Sequence, residues 1–524
     1  MPYTINIAIP PEAAADTDYL RQAAAQALHL AASDVGVVQL VRRSVDARRG
    51  KARLQLQLNV YGSGEQPLDA MPPRFDYRNV AGRPPVIIVG AGPAGLFAAL
   101  KLLEQGLRPV ILERGKNVKE RKRDIAKLAH DHIVNPNSSW CFGEGGAGAY
   151  SDGKLYTRSS KRGNVAHILQ QLVQHGANPD ILVDAHPHIG TDRLPGIVAN
   201  IRQTICSCGG EYHFDTHVTG IAVKNGIAKG VVDERGTRYE GVAVVLATGH
   251  SACDVYEMLD EQNLALEPKP FALGVRVEHP QELINEIQYH GKGYSPLLPA
   301  ATYSLAAQVP GRGVFSFCMC PGGMVVPSAT APGEVVVNGM SGSQRSSPYA
   351  NAGIVAQVSL ADYAPYERFG VLAGLRFRQE VERAMFAAGG AAQSAPAQRL
   401  TDFVEGRISS SLGKTSYIPG VTSAPLHALL PAFVSRALRQ AFREFGKKMR
   451  GYLTAEAMLL AVESRTSSPV RIPRDPQTMQ HVRIANLYPC GEGAGYAGGI
   501  TSSAIDGASC AERIAQQASS ILSA

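Results

Sequence analysis

Hydrophobic and polar positions alternate from Tyr3 to Ile9, recur at helical spacing from Asp16 to Leu30, and alternate again over Val35 to Arg43 and Ala52 to Tyr61. This pattern predicts a small βαββ module. The stretch from Gly62 to Pro85, with glycines, prolines and few apolar runs, predicts a linker. Four apolar β-formers, Val86 to Val89, then lead through a glycine-rich turn into an apolar helix pattern, and a second apolar run covers Pro109 to Leu112. Leu194 to Ile205 has helical spacing. Glu211 to Phe214, Val218 to Val223 and Gly230 to Asp233 alternate like strands of one small sheet, and Val242 to Leu246 reads as another buried strand. Mixed strand and helix patterns fill Leu264 to Ile484.

The first apolar strand carries the most specific chemistry. Gly90, Gly92 and Gly95 make the G-x-G-x-x-G spacing, with small Ala99 four residues on. Such glycines allow a tight turn, close backbone approach to a pyrophosphate and close packing of a helix whose N-terminus offers free N–H groups. Glu113 follows the second strand at about the distance where dinucleotide-binding folds place a ribose-binding carboxylate. Arg114, directly after it, falls at the adenosine phosphate edge. Strand, turn, helix, strand and acid fall in order, so the expected ligand is a dinucleotide; the alternative is an ordinary βαβ unit.

Composition narrows the class. A chain of 524 residues exceeds one core, and 45% hydrophobic with 19% charged residues describes a globular protein without disorder. A formal charge of +7 permits a phosphate-bearing ligand and makes no case for nucleic acid. Eight cysteines without C-x-x-C pairs fit a reducing compartment, and the N-terminus lacks a basic region followed by an apolar block. The expectation is a cytoplasmic protein with a small-molecule substrate and neither nucleic-acid nor membrane partners. The basic run from Arg108 to Lys127 reads as a solvated helix face, and the cluster Asp184, His186, His188 and Asp192 as a polar connection; no metal is assigned.

A second glycine-rich stretch, Trp140 to Leu155, has five glycines in sixteen residues, as expected of backbone laid against a ligand. Gly148 to Lys154 imitates G-x-x-x-x-G-K, but Leu155 stands where a hydroxyl must hold magnesium and no apolar strand feeds the loop. It reads as a loop folded over an extended cofactor.

Four blocks carry a family resemblance: VGAGPAGLFAA (Val89 to Ala99), FGEGGAGAYSDGKL (Phe142 to Leu155), LATGHSA (Leu246 to Ala252) and CGEGAGYAGGI (Cys490 to Ile500). With them the chain resembles the glutathione-reductase-like superfamily of FAD-binding proteins, and within it bacterial FAD-dependent dehydrogenases of largely unassigned substrate; the N-terminal module also resembles theirs. The resemblance implies an α/β fold: a discontinuous Rossmann-like FAD-binding domain (84–263 and 484–524), an inserted α+β substrate domain (264–483) and the ferredoxin-like βαββ module (1–80). It implies FAD held by Gly90, Gly92, Pro93, Ala94, Gly95, Glu113 and Arg114, by Gly145, Gly146, Ala147, Ser151, Asp152 and Gly153, by Val218, Ala247, Thr248 and Gly249, and by Gly491, Glu492, Gly499, Ile500 and Thr501. Glu492 stands where many relatives carry Asp. A final helix starting near Gly499 to Thr501 would turn its positive end to the flavin.

Three residues are candidates for chemistry. Cys320, with Cys318 at C-x-C spacing, relays electrons or forms an adduct, or else packs as a small apolar side chain. Tyr496 donates a proton or covers the flavin, and His250 serves as acid–base group or caps its turn. Glu463 and Arg465 read as a local ion pair or loop hydrogen bonds. The function read from the sequence is an FAD-dependent oxidoreductase that transfers hydride to or from a small molecule. A single G-x-G-x-x-G unit leaves NADH or NADPH as a transient donor only. A flavin-dependent tRNA-modifying enzyme and a non-catalytic FAD-binding scaffold are the alternatives; substrate, reaction direction and oligomeric state stay open.

Overall fold

The computed structural model describes residues 2–48, 50–67, 74–157 and 163–522. Its N-terminal module contains β1 (Tyr3–Ile9), α1 (Thr17–Leu28), β2 (Val35–Asp46) and β3 (Arg53–Gly62), with β3 central and antiparallel to both neighbours. Leu54, Leu56, Leu58 and Val60 of β3 alternate inward beneath α1. Asp16 caps α1 by accepting the N–H groups of Asp18 and Tyr19, a contribution of about 1 kcal/mol. The module is tied down at Arg43: its backbone bonds to Val183 and Ala185, and its guanidinium pairs with Asp184 at 2.8 Å. Of the predicted linker, residues 68–73 lie outside the described residues.

The glycine turn lies in a five-stranded parallel sheet. Here β4 (Pro85–Val89), α2 (Pro93–Gln105), β5 (Arg108–Leu112) and α3 (Val118–His130) follow one another. The strand order is Leu487–Pro489, Ala243–Leu246, β4, β5, Glu211–His213. Glu211–His213 therefore belongs to this sheet and not to the small one, which is Val218–Lys224, Ile227–Asp233 and Arg238–Glu240. Alternation marks a strand but does not name its partner; here the N–H and C=O groups left free on the outer edge of β5 recruit it. Sequence separation is equally uninformative for Leu487–Pro489, which pairs with Ala243–Leu246 across about half the chain. The final helix, Ile500–Leu522, packs against α2 so closely that a Cβ on Gly507 would lie 1.9 Å from the Ala94 carbonyl oxygen.

Between those strands the chain builds a seven-stranded, mostly antiparallel sheet ordered Ala306–Val309, Arg312–Cys320, Tyr349–Val358, Phe271–Pro280, Met458–Glu463, Ala395–Arg399, Val421–Ser423. The helix Ala432–Lys448 covers one face with Val434, Leu438, Phe442 and Phe445. Buried polar groups fix the other. Arg276 and Glu463 pair at 2.7 Å with essentially no exposure, and Arg276 also donates to Asn351. Losing one partner of such a pair costs about 3–5 kcal/mol.

Glu278, on Phe271–Pro280, is buried and accepts the Ser416 N–H at 2.9 Å. Burial pushes its carboxyl up from 4.5 to about 7, against the opposing Ser416 bonds. The unfolded chain releases this proton first, so stability falls as pH rises from about 4.5 through about 7, by at most about 1.4 kcal/mol per pH unit from this group. Urea unfolding over that window is expected to show the slope in the native protein and to lose it in Glu278→Gln.

Candidate functional site

The loops that leave the parallel strands at their carboxyl ends all open on one cavity of about 370 Å³, the position where open α/β sheets hold ligands. At the end of β4, Gly90 has φ +102, and a Cβ there would meet the Ala247 carbonyl oxygen at 2.8 Å. Gly92 starts α2 with no side-chain cap, and Gly92, Pro93 and Ala94 line the cavity. The first-turn N–H groups of α2 are therefore available to an anion.

Glu113 ends β5, and 4% of it is exposed. Its carboxylate accepts the N–H groups of Ala91 at 2.9 Å, Gly115 at 2.9 Å and Gly143 at 3.1 Å. An ionised carboxylate has about four acceptor sites, so capacity for one further hydroxyl is left on the cavity side. Arg121 holds the same second glycine loop from behind, donating to the carbonyls of Ser139, Trp140 and Glu144 at 2.7–2.8 Å. It is fully buried, which corrects its reading as part of a solvated helix face. The loop then lies on the first turn: Gly145 N–H donates to Ala91 at 2.8 Å, and a Cβ on Gly146 would touch Gly92 Cα at 3.1 Å.

Ala147, Ser151, Asp152 and Gly153 continue this wall; Val218, Ala247, Thr248, Gly249 and Glu492 form the next, and Gly499 and Ile500 bring the N-terminus of the final helix to the cavity. Gly95, Gly145, Gly491 and Thr501 do not line it. A Cβ on Gly95 would sit 2.0 Å from the Gly90 oxygen, so that glycine allows helix and turn to approach. Gly145 faces Val198, Gly491 donates to Asp506 at 2.8 Å, and Thr501 donates to the Leu155 carbonyl at 2.7 Å. All four shape the cavity from behind. Arg114 reaches the cavity with its charge engaged: it pairs with Asp254 at 2.6 Å and lies over Phe142. Against burial, His217 and Arg114 hold the Asp254 carboxyl far below the usual range.

His250 lines the cavity between two partners. Its Nε2 lies 2.7 Å from the Arg465 carbonyl oxygen, an acceptor only, and its Nδ1 lies 3.0 Å from Glu492 Oε2. Burial alone would raise the Glu492 carboxyl, but the His250 hydrogen bond prevails and lowers it, so Glu492 is the anion of the pair. Tyr496 does not line the cavity. Its hydroxyl accepts the Arg474 N–H at 3.0 Å and its ring takes the Arg474 guanidinium at 3.9 Å, which turns it away.

The facing wall is Phe317 and Cys318 on the seven-stranded sheet, Asn338 and Gly339 on the separate two-stranded ribbon Gly323–Pro327 and Val337–Ser341, and Arg465 and Thr466 just after the strand Met458–Glu463. Cys320, the predicted cysteine, is fully buried behind it, and Cys318 faces the cavity instead. The cause is an irregular register between Phe317 and Cys320 against Tyr349–Val358, with Cys318 at φ +44. A bulge of this kind re-aims side chains and has no sequence signature here. Arg345 was also invisible in the sequence; it pairs with Asp152 at 2.8 Å and ties the two walls. Arg465 and Glu463 do not pair with each other: Arg465 binds Glu382 and Glu334, each at 3.0 Å. Of the predicted polar cluster, Asp192 accepts the Ser343 N–H at 2.6 Å and His188 meets the Ser343 carbonyl oxygen at 3.1 Å, linking the same walls.

The donor set fits FAD. Two helix starts meet a glycine-lined cleft, that of α2 without a side-chain cap, the Glu113 carboxylate keeps an acceptor site, and a Cβ at Gly148 would press on Pro93 and Ile500 at 3.3 Å. The protein is an FAD-binding flavoprotein: a family model described as an FAD binding domain matches residues 83–126, and one described as FAD-dependent protein, C-terminal domain-like, matches 270–466. Residues 1–61 match a domain of unknown function. The chain belongs to the same family as a Clostridium beijerinckii protein described as uncharacterized, with which it is 38% identical over 522 residues, 96% of each chain. Among solved structures it is similar to the 2,6-dihydroxypyridine-3-hydroxylase of Arthrobacter nicotinovorans (11% identity, 83% of this chain and 84% of that one, TM-score 0.38). It is also similar to a flavin-dependent brominase (11%, 83% and 80%, TM-score 0.36).

Replacing Glu113 by Ala strands three buried N–H groups and frees the second glycine loop. Hydrogen bonds to a charged acceptor contribute about 1.5–3 kcal/mol each, so FAD affinity is expected to fall by on the order of 100-fold. Fluorescence titration of the FAD-free variant with FAD checks this.

Proposed function

We propose that the protein is an FAD-dependent oxidoreductase that transfers hydride between the flavin and a small molecule admitted between the two sheets. The observation behind this reading is the two-sided cavity: one wall has the glycine turns and helix starts suited to a dinucleotide, and the other is polar and built by a different sheet. FAD, when bound, supplies the hydride chemistry. The residues do the rest. Gly92, Pro93 and Ala94 at the start of α2 receive the pyrophosphate, and Glu113 takes a ribose hydroxyl.

The N–H groups at Ile500 and beyond, with the positive end of the final helix, stabilise negative charge that develops near them. His250, fixed between Glu492 and the Arg465 carbonyl, positions the loop from Ala247 to Ser251. Phe317, Asn338 and Thr466 meet the substrate and exclude water. A nicotinamide, NADH or NADPH, docks transiently in the same cleft as electron donor.

The purified protein is expected to show an oxidised flavin spectrum that bleaches anaerobically with NADH or NADPH. A flavin spectrum indifferent to both, and to small-molecule donors, would favour the non-catalytic scaffold. No flavin after reconstitution with FAD would overturn the proposal.

A further inference from the structure

The bulge that aims Cys318 at the cavity also places two thiols of different character side by side. Cys318 lines the cavity and is partly exposed; Cys320 is fully buried behind it, and its thiol donates to the Cys318 carbonyl oxygen at 3.3 Å. Lys154 reaches them from the second glycine loop: its Nζ donates to the Met319 carbonyl and lies 3.9 Å from Cys320 Sγ. Asp152 sits 3.7 Å from the same ammonium and is itself held by Arg345. The buried Arg276 donates to the Cys318 carbonyl at 3.3 Å, and Glu463 balances that guanidinium.

The charges around the pair act in one direction. The neighbouring Cys320 thiol, with Lys154 and Arg276, brings the Cys318 thiol well below its ordinary value despite burial and Asp152. The neighbouring Cys318 and burial push Cys320 well above its own. Burial works against the Lys154 ammonium, but the two sulfurs and Asp152 overcome it and keep it charged. An accessible thiol of lowered pKa backed by a buried thiol of raised pKa is the arrangement of an attacking and a resolving cysteine. The other close pair, Cys490 and Cys510, is fully buried and does not line the cavity.

We infer that Cys318 and Cys320 are a redox-active pair that cycles between dithiol and intramolecular disulfide, exchanging an electron pair with the FAD held in the same cavity. In the oxidising direction the Cys320 S–H bond breaks, an S–S bond forms with the Cys318 thiolate, and one proton is released. The electron pair passes to FAD, which takes up that proton and a second one from solvent. The reverse direction restores both thiols. The inference rests on FAD occupying the cavity, as proposed above, and the pair would pass electrons between flavin and substrate.

The test uses the full-length holoprotein after oxidation with diamide, its FAD content read first from the visible spectrum. In anaerobic dithionite titration the wild type is expected to consume two electron pairs per FAD, and Cys318→Ser and Cys320→Ser one pair each. Mass spectrometry supplies a readout that needs neither variant nor flavin. The tryptic peptide 313–345 contains both cysteines and no other. After oxidation it is expected to be lighter by two hydrogens and closed to iodoacetamide.

Uptake of a single pair by the wild type, or alkylation of both thiols after oxidation, overturns the inference. If FAD is absent, the cofactor reading fails separately, while the peptide mass still reports on the disulfide. In reduced protein at neutral pH, Cys318 is expected to alkylate faster than the exposed Cys206, and Lys154→Met to slow it severalfold, because the ammonium that favours the Cys318 thiolate is gone. A Cys318 no faster than Cys206 also overturns it.

Discussion

The site depends on the Glu113 carboxylate. It stands at the end of one strand and accepts N–H groups from three separate loops, at Ala91, Gly115 and Gly143. Without it the first glycine turn and the second glycine loop would have no common anchor. Arg121 completes the clamp by donating to the carbonyls of the same second loop from the opposite side. A buried anion thus gathers N–H groups and a buried cation gathers C=O groups, and the strand of loop between them has little freedom. Every later feature of the cavity, from Gly146 to Lys154, is placed relative to that loop.

The facing wall is fixed by a different device, buried ion pairs in and beside the seven-stranded sheet. Arg276 pairs with Glu463, and Arg465, just beyond the strand Met458–Glu463, pairs with Glu382 and Glu334. These pairs hold backbone carbonyls in place: Arg276 also donates to that of Cys318, and that of Arg465 lies against His250 Nε2. Three of the polar ties that span the two walls are His250 to Arg465, Arg345 to Asp152 and Lys154 to Met319. The width of the cleft is therefore set by charged and polar groups, and each tie ends on a residue that lines the cavity or abuts one that does.

This division explains what the sequence discloses. The glycine turn and Glu113 are legible because the backbone there admits few other residues: Gly90 holds φ +102, and a Cβ at Gly95 would collide with the Gly90 oxygen on the same turn. The facing wall is not legible, because its positions depend on pairing across long separations. C-x-C spacing points to two thiols on one face, yet the bulge after Phe317 decides which one sees the ligand. Arg121 resembles its neighbours in a run of helical charges, and only tertiary packing distinguishes the buried guanidinium from the solvated ones. Tyr496 sits among glycines like a lid, but Arg474 claims both its hydroxyl and its ring. Glu211–His213 shows its strand pattern without its sheet.

The charge balance of the cavity says how a dinucleotide must be held. Three basic side chains reach it, Arg114, Lys154 and Arg465, and each is matched by a carboxylate: Asp254, Asp152, and Glu382 with Glu334. Drawing Arg465 toward a phosphate would leave the buried Glu334 without its partner, which costs several kcal/mol, on the order of 3–5, and Arg114 and Lys154 would have to give up Asp254 and Asp152. Backbone N–H groups at the starts of α2 and of the final helix carry no such debt, because the N–H groups of a helix's first turn lack an intrahelical partner; at α2, where Pro93 has none, they belong to Gly92, Ala94 and Gly95. The glycines that bring those N–H groups within reach are thus the counter-charge of the site, and the side-chain cations remain free to hold the walls together and to keep a thiolate at Cys318.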